Sequence, residues 1–291
     1  MKYAVCNELF DKLTFENACQ KIAQHGFEGV EIAPFTLFDD PKTVSQEHIR
    51  EIARILQATG LQFAGFHWLF LRPEGLHLTS ADSGIRARSW EHLRRLIDIA
   101  GELGGGDLVL GSPKQRNVEG ISIEQGKTYL QEGLASLATY TEERHSTILI
   151  EALPAKYTNI INTLEEVKTL VNAVDKVGVS GMFDFHNNAS EPLSWEELLA
   201  AYYDVIQHIH LNEINGSYPG TGTSDFLPAF QTLIQKGYSG WMSLEIFHMP
   251  ENPEIVLSHT RQFLNTMEAQ CTAKLRFRGR EKEFRATYPK E

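Results

Sequence analysis

The sequence predicts an α/β fold, a single-domain (β/α)8 barrel in which parallel strands form a closed sheet inside a ring of helices. Short apolar runs of strand length alternate eight times with helical stretches along the chain. Most of these runs have the composition of parallel strands that are buried on both faces. The length of 291 residues also suits one barrel.

The predicted strands can be justified one by one from these runs and from the signals between them. In chain order they cover residues 3–5, 29–32, 62–66, 108–110, 147–150, 179–183, 206–209 and 241–244. Helix starts are indicated by residues that cap free backbone amides, namely Ser122 with Gln125, Asn162 before an acidic turn, and Ser194 with Glu197. Glycines that can close a last helical turn are Gly26, Gly60, Gly104 and Gly237.

A doubly wound open sheet would show the same alternation. It is disfavoured because the first strand is followed by C-N-E-L at 6–9 and not by a glycine-rich phosphate-binding turn. We therefore expect residues 1–270 to form the barrel, with the active site at the carboxyl ends of its strands. Residues 271–291 form a basic C-terminal tail. The sequence is compatible with two structures for this tail, a short hairpin and a frayed terminus.

Composition narrows the expected partners. The formal net charge of −11 argues against nucleic acid or a membrane, because those surfaces attract clustered lysine and arginine, and favours a small polar molecule. The three cysteines are far apart and outside any C-x-x-C pair, so we expect reduced thiols. Since no signal-peptide core or long apolar span is found, we expect a cytoplasmic protein.

Four residues that can bind a metal stand at the ends of the last four predicted strands. They are Glu151, Asp184, His210 and Glu245. Each alone could be a loop residue or a helix cap. Because consecutive strands are neighbours in a barrel, however, the four side chains are expected to meet, and packed carboxylates repel one another without a cation. Three oxygen ligands and one nitrogen ligand suit one divalent metal ion, Mn2+, Mg2+, Co2+ or Zn2+.

In these segments the chain resembles the xylose-isomerase-like TIM-barrel superfamily, and in particular its ketose 3-epimerases. The resemblance covers roughly residues 1–270 and is carried by I-E-A-L-P at 150–154, F-D-F-H-N at 183–187, H-I-H-L-N-E at 208–213, P-G-T-G at 219–222 and S-L-E-I at 243–246. It specifies the superfamily and not one substrate. Relatives are often dimers or tetramers, so the resemblance also implies a homo-oligomer.

The resemblance implies a metal-dependent sugar or sugar-phosphate isomerase or epimerase that acts on a sugar or polyol. Glu151, Asp184, His210 and Glu245 would be the metal ligands, and Glu151 and Glu245 the catalytic acid and base. A proton next to a carbonyl is too weakly acidic to be removed at neutral pH unless the enediolate is stabilised, which a divalent cation achieves. One carboxylate can then remove the proton and the other can return it.

Further residues are candidate substrate contacts. After the third strand, Trp68 could stack on a sugar and His67 could bond a hydroxyl, although a core tryptophan beside a satisfied histidine explains them equally. Glu8 after the first strand and Glu31 at the end of the second strand are also expected to point into the mouth of the barrel. Lys114 and Arg116, after the fourth strand, could bind a phosphate or carboxylate on the substrate, or could simply be solvated surface residues.

Two features depart from the epimerase pattern. His186 lies two residues after Asp184, whereas the epimerases of the family place a histidine three residues after the aspartate. Two roles therefore remain for His186, a contact with substrate and a histidine of the loop. The residues before P-G-T-G are N-G-S-Y at 215–218, without the arginine by which many relatives contact substrate. This favours a different substrate or a different reaction.

The same set of metal ligands could serve other reactions. A dehydratase of the inosose or dehydroshikimate type begins with the same proton abstraction. A phosphodiesterase like the apurinic endonucleases is disfavoured, because those enzymes use a three-zinc cluster with more histidines and a basic groove. A barrel that binds sugar without turnover is the last alternative.

Overall fold

The structure is a closed barrel of parallel strands whose order around the barrel is their order in the chain. It is a computed structural model that describes the backbone of residues 1–287 and the side chains of residues 1–273. The strands are β1 (Lys2–Cys6), β2 (Gly29–Ile32), β3 (Gln62–Phe66), β4 (Asp107–Leu110), β5 (Thr147–Ile150), β6 (Val179–Asp184), β7 (Ile206–Leu211) and β8 (Trp241–Leu244). Every predicted strand is present, so the predicted barrel is confirmed and the open sheet is excluded.

Helices connect the strands and surround the barrel. They are α1 (Phe15–Gln24), α2 (Gln46–Thr59), α3 (Ser83–Glu102), α4 (Pro113–Arg116), α5 (Ile123–Glu142), α6 (Leu164–Val174), α7 (Trp195–Tyr202), α8 (Leu227–Lys236) and α9 (Pro253–Thr287). The capping box of Ser194 and Glu197 is present at the start of α7. The predicted cap at Asn162 is wrong, because the hydroxyl of Thr163 caps α6, while the Asn162 amide donates to the carbonyls of Leu153 and Thr158.

The strand register brings the ends of β5 to β8 to one edge of the barrel. Asp184, the last residue of β6, pairs with His210 on β7, and His210 pairs with Ser243 on β8. Glu151 and Glu245 are the first residues after β5 and β8. Parallel strands all end at the same rim of a barrel, so the four predicted ligands lie together there.

The interior of the barrel is partly polar. The main hydrophobic cluster joins the outward faces of the strands to the helices. Two small apolar clusters are separate from it, one formed by Ala4, Ala64 and Trp241 and the other by Val109, Leu149 and Met182. Fully buried Glu31 and His208 also lie on strands, so part of the barrel is filled by charged and hydrogen-bonding groups instead of hydrocarbon.

The last helix includes part of the predicted tail. Helix α9 extends through residue 287, so residues 271–287 do not form the hairpin that the sequence left open. Residues 288–291 lie outside the described part of the chain, and the division at residue 270 stays a prediction. Among the described residues, no helix has the length and apolar character needed to cross a membrane.

Candidate active site and metal centre

The four predicted metal ligands form one buried cluster. Potential ligand atoms of Glu151, Asp184 and His210 all lie within 4.8 Å of one another. Glu245 adjoins them, because its Oε2 lies 2.9 Å from Nδ1 of His210. All four side chains are buried, and the carboxylate of Asp184 has no exposed surface. The four residues therefore lie together as the sequence predicts, whereas their roles as metal ligands stay a prediction.

The nitrogen that faces the carboxylates makes no well-formed hydrogen bond. Nδ1 of His210 is buried and has no hydrogen-bond partner, although it lies 2.9 Å from Glu245 and 3.7 Å from Oδ2 of Asp184. A buried polar atom without a partner costs free energy, which a bound ion would recover. The donor set of carboxylates and one imidazole is one that Mn2+, Mg2+, Co2+ and Zn2+ accept.

The electrostatics of the cluster also favour a cation. Burial, followed by the charges of Asp184 and Glu245, raises the pKa of Glu151 to about 8. Burial and the charge of Glu245 raise the pKa of Asp184 to about 6. Burial would raise the pKa of Glu245 too, but the charge and contact of His210 lower it. Crowded carboxylates thus resist full ionisation, and a divalent ion would relieve their repulsion.

Asparagines after β6 and β7 hold the two carboxylates in place. The side chain of Asn187 donates to Oε1 of Glu151 at 2.8 Å, and its backbone N–H donates to Oδ1 of Asp184 at 2.6 Å. The amide of Asn212 donates to the other Asp184 oxygen at 3.0 Å. These bonds fix the orientation of Glu151 and Asp184 relative to each other. The motif letters F-D-F-H-N and H-I-H-L-N-E contained both asparagines, but sequence analysis assigned them no role.

A buried network behind the cluster was missed by sequence analysis. Glu31 was expected near the mouth, yet it has no exposed surface and lies within hydrogen-bonding distance of His208 and His210. His208 also meets Asp107 at 2.9 Å. Although burial opposes its charged form, Glu31 and Asp107 raise the pKa of His208 to about 9. The available signal was the spacing of His208 and His210, which puts both imidazoles on the inner face of one strand.

The cluster lies at the base of a cavity of about 440 Å³. Most of the predicted contact residues line it, namely His67, Trp68, Lys114, His186, Glu151, His210 and Glu245. Trp68 is 38% exposed and has a positive φ of 52°, an uncommon conformation that turns the chain at the mouth. An indole placed there is suited to stacking on a sugar ring.

His67 and Glu8 form a pair below that surface. Nε2 of His67 lies 2.8 Å from Oε1 of Glu8, and the imidazole is almost completely buried. Glu8 is not among the residues that line the cavity. Glu8 satisfies only one ring nitrogen of His67, because Nδ1 makes no hydrogen bond. Contact of either residue with substrate stays a prediction.

The remaining candidates occupy different environments. His186 lines the cavity, with Nδ1 2.6 Å from the carbonyl of Ile214 and its ring 5.0 Å from that of Phe247. The surface interpretation of Arg116 is wrong, because this guanidinium is fully buried and donates to the carbonyls of Leu110 and Ile161. Lys114, its neighbour in α4, does line the cavity.

Comparison with known proteins agrees with this geometry. The model of the xylose isomerase-like TIM barrel family matches residues 19–267. The chain belongs to this family. The resemblance seen in the sequence is therefore confirmed.

Members with described activities are distant in sequence. An L-ribulose 3-epimerase from Methylomonas sp. (strain DH-1) is 29% identical over 177 residues, which is 58% of this chain and 60% of that protein. An inosose dehydratase from Clostridium botulinum (strain Eklund 17B / Type B) is 24% identical, and the match covers 86% of this chain and 89% of that protein. A solved L-ribulose 3-epimerase structure superposes with a TM-score of 0.82 at 18% identity, over 95% of this chain and 98% of that one.

Proposed function

We propose that this family member is a divalent-metal-dependent epimerase or isomerase of a ketose, which moves a proton on a carbon next to a carbonyl. The observation that carries the proposal is the pair of carboxylates Glu151 and Glu245 at the base of one cavity, beside Asp184 and an imidazole nitrogen that faces these carboxylates without a well-formed hydrogen bond. The similarity to L-ribulose 3-epimerase supports it.

Glu151, Asp184, His210 and Glu245 would hold the cation. When bound, a divalent cation supplies Lewis acidity to the carbonyl and hydroxyl oxygens of the substrate and so stabilises the negative charge of the enediolate. Trp68, at the mouth of the cavity, would cover the apolar face of the sugar.

The two glutamates would exchange the proton. Their environments displace their pKa values in opposite directions, upward for Glu151 and downward for Glu245. These shifts belong to the metal-free protein, and a bound cation would lower the pKa of each carboxylate that holds it. The acid and base roles therefore rest on the placement of the two glutamates at the base of one cavity and not on these pKa values. In one direction of the reaction Glu245 takes the proton from carbon and Glu151 delivers one. The reverse reaction exchanges these roles.

The lining of the cavity favours a neutral sugar over a sugar phosphate. Lys114 is the one lysine or arginine among the described residues that line it. Phosphate sites commonly combine several donors, often with the forked guanidinium of arginine, and Arg116 is turned away into the protein. A ketose without a phosphate is therefore the substrate class that we propose.

Hydrogen exchange tests the proposal directly. Incubation with Mn2+ and a panel of ketoses in deuterated water is expected to introduce deuterium at C3 for an epimerase or at C1 for an isomerase. Replacing either glutamate, as Glu151→Gln or Glu245→Gln, should lower this exchange by at least about 10²-fold, because general acid–base groups contribute about 10²–10⁴-fold. Glu51→Gln on the exposed face of α2 makes the same chemical change away from the cavity and is the control that should leave the exchange unchanged. Absence of exchange with every ketose tested would contradict the proposal.

A dehydratase is the second candidate. Its support is the similarity to an inosose dehydratase over most of both chains, together with the N-G-S-Y segment at 215–218, which lacks the arginine of the epimerase pattern. Proton abstraction would then be followed by loss of a hydroxyl group as water. Incubation with a polyol ketone and Mn2+ would distinguish the two reactions, because dehydration creates an ultraviolet-absorbing enone and epimerisation does not.

A further inference from the structure

Glu31 stands at the centre of the buried network behind the candidate metal centre. Its Oε1 lies 3.1 Å from Nε2 of His210, and its Oε2 lies 2.9 Å from Nε2 of His208. Nδ1 of His67 approaches Oε1 to 3.5 Å without forming a hydrogen bond. The carboxylate has no exposed surface, so water cannot replace these partners.

The contact with His210 determines which nitrogen of that ring carries a hydrogen. An ionised carboxylate only accepts hydrogen bonds, so Nε2 of His210 must be the donor. The lone pair of a neutral ring then lies on Nδ1, the nitrogen that faces Asp184 and Glu245 and has no hydrogen-bond partner. A metal ligand needs that lone pair, and a histidine that binds a metal commonly donates its other N–H to a carboxylate.

The second oxygen of Glu31 is fixed from the opposite side. His208 bonds it through Nε2 and bonds Asp107 through Nδ1, each at 2.9 Å. Ser243 lies 3.0 Å from the same Nε2 of His208. With both oxygens engaged, the carboxylate plane of Glu31 cannot rotate without breaking a buried hydrogen bond.

We propose that Glu31 is a positioning residue, which holds His210 in the tautomer and orientation that present Nδ1 to a divalent cation. This inference rests on the metal centre of the proposed function. Glu31 does not touch the substrate, since it is not among the residues that line the cavity. Its effect on catalysis passes through His210.

A matched pair of variants tests this role. Glu31→Gln keeps the shape of the side chain but offers a single oxygen to two N–H donors, so His210 or His208 must turn or change tautomer. Asp107→Asn makes the same chemical change at the far side of His208, without contact to His210. Mn2+ affinity of the metal-free full-length chain is measured by titration calorimetry. The unfolding temperature of each metal-free variant reports any general loss of stability.

Wild-type protein is expected to bind one Mn2+ per chain. Glu31→Gln should bind it about 10–100-fold more weakly, the effect typical of losing such an outer carboxylate, and Asp107→Asn should bind close to wild type. Equal weakening by both variants, or unchanged affinity in Glu31→Gln, would overturn the positioning role. Two Mn2+ ions per chain, with one lost in Glu31→Gln, would overturn it in favour of Glu31 as a ligand. No Mn2+ binding by wild type would remove the proposed function as well, so the failures are distinguishable.

A spectroscopic measurement needs no variant and stands even if Glu31→Gln does not fold. In protein with nitrogen-15-labelled histidine, loaded with diamagnetic Zn2+, the ring of His210 is expected to carry its hydrogen on Nε2. A hydrogen on Nδ1 would overturn the inference.

Discussion

Glu151 depends on a residue that has no side chain. Gly111 follows β4, and a methyl group added at its α-carbon would overlap Oε2 of Glu151. The carboxylate is also held by Asn187 on its other oxygen, so it has little room to move aside. The glycine in the G-S-P-K segment is therefore required by the position of the catalytic candidate, and its φ is not the reason.

We predict that Gly111→Ala lowers kcat on the order of 10²-fold, because a displacement of about 1 Å in a reacting group has that effect. The steady-state rate with the best ketose of the panel is the measurement. Gly101→Ala is the matched control. It lies in helix α3, where the close neighbour of an added methyl is the Arg144 side chain, and alanine favours a helix. Equal rates for Gly111→Ala and wild type would show that Glu151 has no fixed role.

At the scale of elements, a buried arginine joins the loops after two strands. Arg116, in the short helix α4, donates to the carbonyl of Leu110 at the end of β4 and to the carbonyl of Ile161 before α6. Burial lowers its pKa to about 10, although Glu151 and Glu166 favour its charged form. Lys114 and Ser112 on the same segment line the cavity. Arg116 therefore helps to set one wall of the candidate site.

We predict that Arg116→Lys destabilises the protein by about 1–3 kcal/mol. Two different guanidinium nitrogens bond the two carbonyls, and the shorter lysine has one nitrogen, so one buried acceptor is left without a partner at about that cost. The free energy of unfolding is measured by denaturant titration. The control is Arg54→Lys on α2, where the exposed guanidinium pairs with Glu51, and such pairs contribute little. A stability change no larger than that of the control would contradict the structural role of Arg116.

The strands and the ligand cluster could be read from the sequence, because each depends on a local pattern. An apolar run ending in Glu151 or Glu245 predicts both a strand and a residue at its tip. The network around Glu31 could not be predicted in that way. Glu31, Asp107 and His208 lie on different strands, and their contacts depend on barrel register and closure. Arg116 was misread for a similar reason, since its polar segment resembles a surface loop.

At the scale of the whole molecule, the candidate metal centre places an excess of acid in the middle of the fold. In the interior, the carboxylates Glu31, Asp107, Glu151, Asp184 and Glu245 face the imidazoles His67, His208 and His210. A divalent cation would offset part of the negative charge. Burial of so many ionisable groups has a free-energy cost that depends on pH and on whether a metal ion is bound. The stability of the protein against unfolding should therefore change when the site binds a metal ion.

The direction of this dependence follows from the raised pKa values of Glu151, about 8, and Asp184, about 6. In the unfolded chain such groups titrate near about 4, so between about pH 4 and pH 8 the folded protein binds more protons than the unfolded chain. Stability of the metal-free protein therefore falls as pH rises through this window. His208, with its pKa raised to about 9, has the same sign. The lowered pKa values of Glu31 and Glu245 act only at more acidic pH.

We predict that protein prepared with EDTA melts a few degrees lower at about pH 8.5 than at about pH 6, since each kcal/mol corresponds to about 2–4 °C in a domain of this size. Saturating Mn2+ should abolish or reverse the difference, because metal binding requires deprotonated ligands and strengthens as pH rises. Circular dichroism melts at both pH values, with EDTA or Mn2+, measure this. In Glu151→Gln one titrating carboxyl is absent, so the metal-free pH dependence should be smaller. Metal-free wild type that is equally stable at both pH values would contradict the electrostatic account, and an unchanged melting temperature on adding Mn2+ would contradict the metal centre.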